Sequence, residues 1–261
     1  MSELLLEIEG LRKSFGALIA TDNVTLNIRT GETHALIGPN GAGKTTLLGQ
    51  LAGELTPDAG CIRFAGRDIT KLTTAARARL GLARSFQITS IFPSFTAEGN
   101  VSLAVQATEP HSFRFWQPAE RIARLREPAR RLLGDVGLAT LAHHVAARMS
   151  HGQHRQLEIG MALATRPSML LLDEPMAGLG IEESRAMSTL LASVKGRHTI
   201  LLIEHDMDVV FQLADRISVL VGGRIVASGP PDEIRNSPEV RIAYLGEDDE
   251  EEFAGGLDAE G

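Results

Sequence analysis

The sequence predicts an α/β fold: a predominantly parallel sheet flanked by helices, an antiparallel β layer beside it, and a helical subdomain. Three observations predict it. From Met169 onward strand and helix signals alternate, and the strands are apolar throughout, as parallel strands covered on both faces are. Residues 3–9 and 24–28 instead alternate with period two, which suits an antiparallel sheet with one solvated face. Residues 97–165 carry helical spacing, with Ile122, Leu125, Ala129, Leu132 and Val136 recurring about every 3.6 residues.

Taken in order, residues 1–30 and 60–70 form the antiparallel layer, with a short strand at 61–64 closed by Ala65-Gly66-Arg67. Thr30-Gly31-Glu32 turns the chain into a buried strand, Thr33–Ile37. Residues 38–45 then fit G-x-x-x-x-G-K-[ST] without a mismatch, and Leu47, Leu48 and Leu51 mark a helix beginning at Lys44. Gly38, Gly41 and Gly43 can take backbone angles that a side chain forbids, so the amides can curl into an anion-holding nest at a helix N-terminus. Gly38, Pro39, Asn40, Gly41, Ala42, Gly43, Lys44, Thr45 and Thr46 are therefore the expected nucleotide-binding run. Lys44 reaches the terminal phosphates and the Thr45 hydroxyl ligates Mg²⁺. Strand, loop and helix in that sequence predict a binder of nucleoside triphosphate.

In the helical stretch, Pro128 either kinks a helix or starts a second one at its first turn. Arg121, Arg124, Arg126, Arg130 and Arg131 read as a solvated face, since no aromatic residues interleave with them. His143-His144 reads as a loop pair. Ser150-His151-Gly152-Gln153 opens a further helix, with Ser150 as its cap and Gly152 allowing close backbone approach: a second helix end suited to phosphate. A buried strand, Met169–Asp173, then delivers Asp173 and Glu174 at its C-terminal end, where ligands sit in open α/β sheets. Asp173 can hold Mg²⁺, and strand alternation turns Glu174 toward an attacking water. The remaining elements are a helix at 182–194, a strand at 199–204, a helix at 207–214, a strand at 217–221 and a tight hairpin through Gly222-Gly223 into 225–227.

The totals bound the rest. A chain of 261 residues, 43% of them hydrophobic, can bury a sizeable core. No run of about 20 apolar residues crosses a membrane, and the N-terminus does not read as a signal peptide. One cysteine, Cys61, leaves no partner for an internal disulfide and points to a cytoplasmic setting. The net charge of −7 belongs to the tail: residues 247–261 hold eight of the 33 acids and no base, which leaves 25 acids against 26 bases elsewhere. The tail reads as solvated and disordered, and a body this neutral gives no argument for nucleic acid as a partner.

With these pieces in order, residues 4–246 resemble the ATP-binding subunit of an ABC transporter. The resemblance implies a P-loop NTPase (RecA-like) core carrying an antiparallel β subdomain and a helical subdomain, that is, one ABC ATPase domain over 1–246 followed by the tail. It implies that Phe15 stacks on adenine, that Gln87 senses Mg²⁺ and the attacking water, that residues 149–153 form the signature loop, and that His205 is the switch histidine. Glu174, His205, Lys44 and Gln87 are then the catalytic set, and Thr45, Gln87 and Asp173 the metal set. ATP and Mg²⁺ are the implied cofactors. Arg84-Ser-Phe-Gln87, residues 91–96, His151, residues 203–207 and Tyr244-Leu245-Gly246 look like the subgroup that takes up branched-chain (hydrophobic) amino acids.

That resemblance further implies transmembrane permease subunits, a second ATP-binding subunit (a copy or a sister ATPase), a periplasmic or extracellular solute-binding protein, and a peripheral place on the cytoplasmic face of the membrane. Alternatives are the ATPase of lipopolysaccharide export or of urea/amide uptake, a soluble non-transport ABC ATPase, and a P-loop kinase. Three residues depart from the family pattern: His151 replaces a glycine, Gly180 an Asp or Asn, and Gly99 a glutamate.

Overall fold

The computed structural model describes residues 3–84, 91–108, 123–237 and 240. The first elements are β1 (Leu4–Phe15), β2 (Leu18–Arg29), β3 (Thr33–Ile37), α1 (Lys44–Ala52), β4 (Ala59–Phe64), β5 (Arg67–Asp68), α2 (Thr74–Arg79) and β6 (Leu82–Arg84). There follow α3 (Ala97–Ala107), α4 (Ala123–Asp135), two 3-10 turns, α5 (His151–Ala164), β7 (Met169–Asp173) and α6 (Ile181–Val194). The chain closes with β8 (Thr199–Ile203), α7 (Met207–Leu213), β9 (Arg216–Val221), β10 (Arg224–Gly229) and α8 (Pro231–Asn236). It divides into two compact units, residues 1–77 with 195–261, and residues 78–194.

In the first unit, β2, β1, β4 and β5 form the antiparallel sheet in that order. The period-two pattern does what it implies: Leu6 opposes Ile28, Ile8 opposes Leu26 and Leu11 opposes Val24, and all six are buried. The pairing runs further than the alternation announced, to Phe15 and Leu18 at the hairpin. Beside it, β3 pairs in parallel with β8 on one side and with β9 on the other, and β10 returns antiparallel to β9. Every residue of β3 and β8 is buried, as continuous apolar runs require. Ala35, Ile37, Val210, Ile217, Val219 and Ile234 form the core between this sheet and its helices.

One buried cation braces α1. Arg77 is 1% exposed, and its guanidinium donates to the carbonyls of Gln50 and Leu51 at the C-terminal end of α1 and to those of Thr70 and Leu72. Positive charge there complements the helix dipole, and burial pushes the Arg77 pKa down to about 10.

In the second unit, β6 and β7 pair in parallel, with Ala83 opposite Leu170. Helices α3, α4 and α5 pack on one another, and α6 packs on α5. Leu125, Ala129 and Val136 are buried as their spacing predicts, but Leu133 rather than Leu132 takes full burial, and Ile122 lies outside the described residues. Helix α4 runs through Pro128 as one helix, so that proline starts no second one. The arginine face is also more than solvated. Arg126 Nε and Arg130 Nε donate to Glu98, a carboxylate on α3 that is 4% exposed. Burial works to raise the Glu98 pKa, but the two guanidinium hydrogen bonds outweigh it and hold the carboxyl below its ordinary value.

Candidate functional site

The phosphate loop belongs to the first unit and is shaped by what its glycines lack. A Cβ on Gly38 would lie 2.0 Å from the Leu220 carbonyl oxygen, and one on Gly43 would lie 2.1 Å from that of Ala20. The loop is thus held between β2 and β9, and Gly43 enters α1 at φ 103°, in the left-handed region that favours glycine. The hairpin after β9 joins the clamp: Gly223 N donates to Ala42 O at 2.9 Å, and Asp22 N donates to Gly223 O at 2.8 Å. No side chain caps α1, so its first-turn amides, those of Lys44, Thr45 and Thr46, have no acceptor within the helix. Lys44 is 6% exposed, and its ammonium donates to Gly38 O at 2.5 Å and Pro39 O at 3.0 Å. The cation therefore lies folded against the loop itself.

Two further sequence-predicted residues share this unit. Opposite Ile203 in the parallel register stands Leu36, which brings Gly38 and His205 to the same C-terminal sheet edge. His205 is exposed there, after the buried Glu204, rather than a core histidine. Phe15 ends β1 with 47% of its surface exposed and the Lys13 ammonium over its ring, 5.6 Å from the centre.

The second unit holds the acidic strand end and the other helix end. Four fully buried residues of β7 carry Asp173 to the strand terminus, where it is half-buried and accepts from Arg84 Nη2 at 2.9 Å. Glu174 follows at φ 49°. The strand ends at Asp173, so strand alternation does not extend to Glu174, whose left-handed conformation costs about 1–2 kcal/mol for a residue with a Cβ. Strain of that kind collects where a side chain must be aimed.

Ser150 caps α5 with a complete capping box: its Oγ accepts from Gln153 N at 3.3 Å, and Gln153 Oε1 accepts from Ser150 N at 2.9 Å. Glu183, which sequence reasoning missed, completes the cluster. Ser150 Oγ and Gly152 N donate to its Oε1 at 2.6 and 3.3 Å, and Gly180 N donates to its Oε2 at 3.5 Å. The Ser150 hydrogen bond holds the Glu183 carboxyl below its ordinary value, helped by both backbone amides. Gly180 has no side chain with which to cap α6, and its own amide donates to Glu183 Oε2. Arg84 was likewise missed as an Asp173 partner. Gln87, the branched-chain cues beyond residue 240 and the acidic tail lie outside the described residues.

A glycine-built phosphate loop entering a helix, an apolar strand ending in two acids and a second capped helix end define a nucleotide-hydrolysing cassette. The comparisons agree. The family model described as "ABC transporter" matches residues 21–177, and one described as "Branched-chain amino acid ATP-binding cassette transporter" matches residues 224–250. The chain belongs to the ABC transporter family, as an ATP-binding, ATP-hydrolysing subunit. It is 41% identical over 254 residues to LivG of Salmonella typhimurium, named a high-affinity branched-chain amino acid transport ATP-binding protein, covering 95% of this chain and 100% of that one. It is 39% identical over the same length to BraF of Pseudomonas aeruginosa, which bears the same description, with the same coverage. Among solved structures it resembles the ATP-binding cassette MJ1267 in its ADP conformation, at TM-score 0.82 and 30% identity, covering 94% of this chain and 100% of that one. Among the described residues no helix is long and apolar enough to cross a membrane.

Proposed function

We propose that this chain powers import of branched-chain or other hydrophobic amino acids by hydrolysing ATP, peripheral on the cytoplasmic face of the membrane. It would work with transmembrane permease subunits, a second ATP-binding subunit and a solute-binding protein outside the membrane. The carrying observation is similarity to LivG and BraF across their whole length rather than over the cassette motifs alone.

In this reading Phe15 packs on the base, and the amides of the loop from Gly38 to Thr46 hold the phosphates. Lys44 moves its ammonium from the Gly38 and Pro39 carbonyls onto phosphate oxygens. The Thr45 hydroxyl and the Asp173 carboxylate are hard oxygen donors of the kind Mg²⁺ takes, with Gln87 as a further candidate. Bound there, Mg²⁺ supplies charge neutralisation at the phosphates. Glu174 polarises the attacking water and takes its proton, while His205 orients that water and the terminal phosphate. The Ser150 hydroxyl and the first amides of α5, with His151, Gly152 and Gln153, receive the nucleotide held by a second subunit's phosphate loop. Two phosphate-suited helix N-termini, those of α1 and α5, against one acidic strand end favour this head-to-tail pairing.

Glu174→Gln tests the central assignment. Nucleotide binding should persist while hydrolysis falls by about 10²–10³, the usual effect of removing one positioned group in such a site; near-normal turnover removes Glu174 from the role. For the solute, the reconstituted complex should hydrolyse ATP faster with leucine-loaded binding protein than with the unloaded protein, and equal rates would count against an amino-acid importer.

A further inference from the structure

The donors that the proposed function reserves for a nucleotide already have an acceptor. Ser150 Oγ donates to Glu183 Oε1 at 2.6 Å, and the Gly152 amide donates to the same oxygen at 3.3 Å. Those two groups form the first turn of α5, where the helix dipole favours an anion. A Cβ on Gly152 would lie 2.6 Å from Glu183 Cδ, so the space that this glycine opens is the space the carboxylate fills. Glu183 reaches it from the first turn of α6, a different element, with its other oxygen toward the Gly180 amide at 3.5 Å.

We propose that Glu183 is a positioning residue that takes the place of a nucleotide's terminal phosphate on the Ser150 loop, and so sets the nucleotide concentration at which two subunits close. This rests on reading the Ser150 loop as a phosphate clamp. A carboxylate and a phosphoryl edge are both anions that accept two converging donors, and charge-assisted bonds to either are stronger than neutral ones. They exclude each other: the Ser150 hydroxyl has one proton to donate, and two anions on one pair of donors repel. Closure onto the partner's nucleotide therefore requires Glu183 to swing off the loop. Glu183 is only half-buried, at the start of α6, so rotation about its own side-chain bonds can carry the carboxylate off the loop. With Glu183 in place, the Ser150 hydroxyl and the Gly152 amide keep an acceptor in the lone subunit.

Two variants separate competition from support. Glu183→Gln keeps an acceptor for both donors but removes the charge, and Glu183→Ala removes both. The measurement is equilibrium binding of AMP-PNP with Mg²⁺ to the complex purified with its membrane subunits, with hydrolysis rates recorded alongside. Competition predicts that Glu183→Gln lowers the half-saturating concentration about fivefold, given that charged hydrogen bonds are roughly twice as strong as neutral ones, and that Glu183→Ala lowers it at least as far. An unchanged or higher value in Glu183→Gln overturns the proposal, as does a rise in Glu183→Ala that Glu183→Gln restores, the signature of a merely supporting residue. Ser150→Ala keeps the two readings apart. Wild-type binding and hydrolysis in that variant would sink the phosphate-clamp reading itself, whereas a defect there with no effect of Glu183→Gln sinks the role of Glu183 alone.

Discussion

Helices α1 and α5 each begin at a glycine-containing turn suited to phosphate, yet they are finished in opposite ways. Helix α1 has no side-chain cap: Gly43 enters it in a left-handed conformation, and the Lys44 ammonium folds back onto the Gly38 carbonyl. Helix α5 is internally complete, with a reciprocal capping box from Ser150 and Gln153 and a carboxylate from Glu183 on the same turn. The first is shaped by backbone packed against backbone, the second by side chains that can leave. An uncapped helix end costs stability until an anion arrives, so under the proposed function α1 would hold nucleotide and α5 would acquire it on pairing.

The largest effect separating them is expected at Lys44. Its ammonium is the cation of the α1 end, and Lys44→Ala should weaken ATP binding by about 10²-fold or more, the scale of losing a charged contact to phosphate. Thermal stability should fall far less than affinity, because the ammonium donates to carbonyls of the loop itself. Equilibrium nucleotide binding beside a melting curve checks this, and a variant that melts early without losing affinity would make Lys44 a structural brace.

Next comes alanine at the two glycines. At Gly43 the new methyl meets the Ala20 carbonyl at 2.1 Å and must hold φ 103°, so backbone has to move; a loss of about 2–4 kcal/mol is expected. For a chain of this size that is on the order of 5–15 °C in melting temperature. At Gly152 the methyl meets the Glu183 side chain, 2.6 Å from Cδ, which can rotate away. The loss should be under about 1 kcal/mol. Equal destabilisation of Gly43→Ala and Gly152→Ala in calorimetry would erase the distinction between the two ends.

Local pattern made α1 fully legible, because glycine placement, strand and helix all lie within residues 33–52. The parallel and antiparallel sheets were legible for the same reason: apolar runs and period-two alternation are properties of a few adjacent residues. Glu183, by contrast, sits 33 positions from Ser150, and Arg84 sits 89 from Asp173. An acid one turn into a helix and an arginine in a strand look ordinary in sequence, and only tertiary packing gives each its partner. Glu174 shows a smaller failure, since alternation along a strand cannot foresee a left-handed residue just past its end. Of the two readings of Pro128 the second-helix start fails, since α4 continues through it, and the solvated arginine face gains a pairing to the buried Glu98 on α3 that local pattern could not show.

Glu98 extends the comparison to a carboxylate that does not leave. Glu183 is half-buried in the first turn of α6, whereas the Glu98 side chain is 4% exposed and takes Arg126 and Arg130 together. Both carboxyls are held below their ordinary value, and Glu98, whose side chain is 4% exposed, should show this most clearly as stability of the folded chain. A depressed folded-state pKa contributes stability that is complete above the unfolded value, about 4.3, and is lost as pH falls through the lower folded value. Glu98→Gln should therefore melt below the wild type at pH 7, by about 1–2 kcal/mol, since its guanidinium partners are 40% and 46% exposed and partly screened. The gap between the two proteins should narrow as pH drops from about 5 toward 3, where the wild-type carboxyl takes up its proton. Melting curves of both proteins across that range read the convergence directly. A gap that stayed constant would mean Glu98 acts through packing rather than charge.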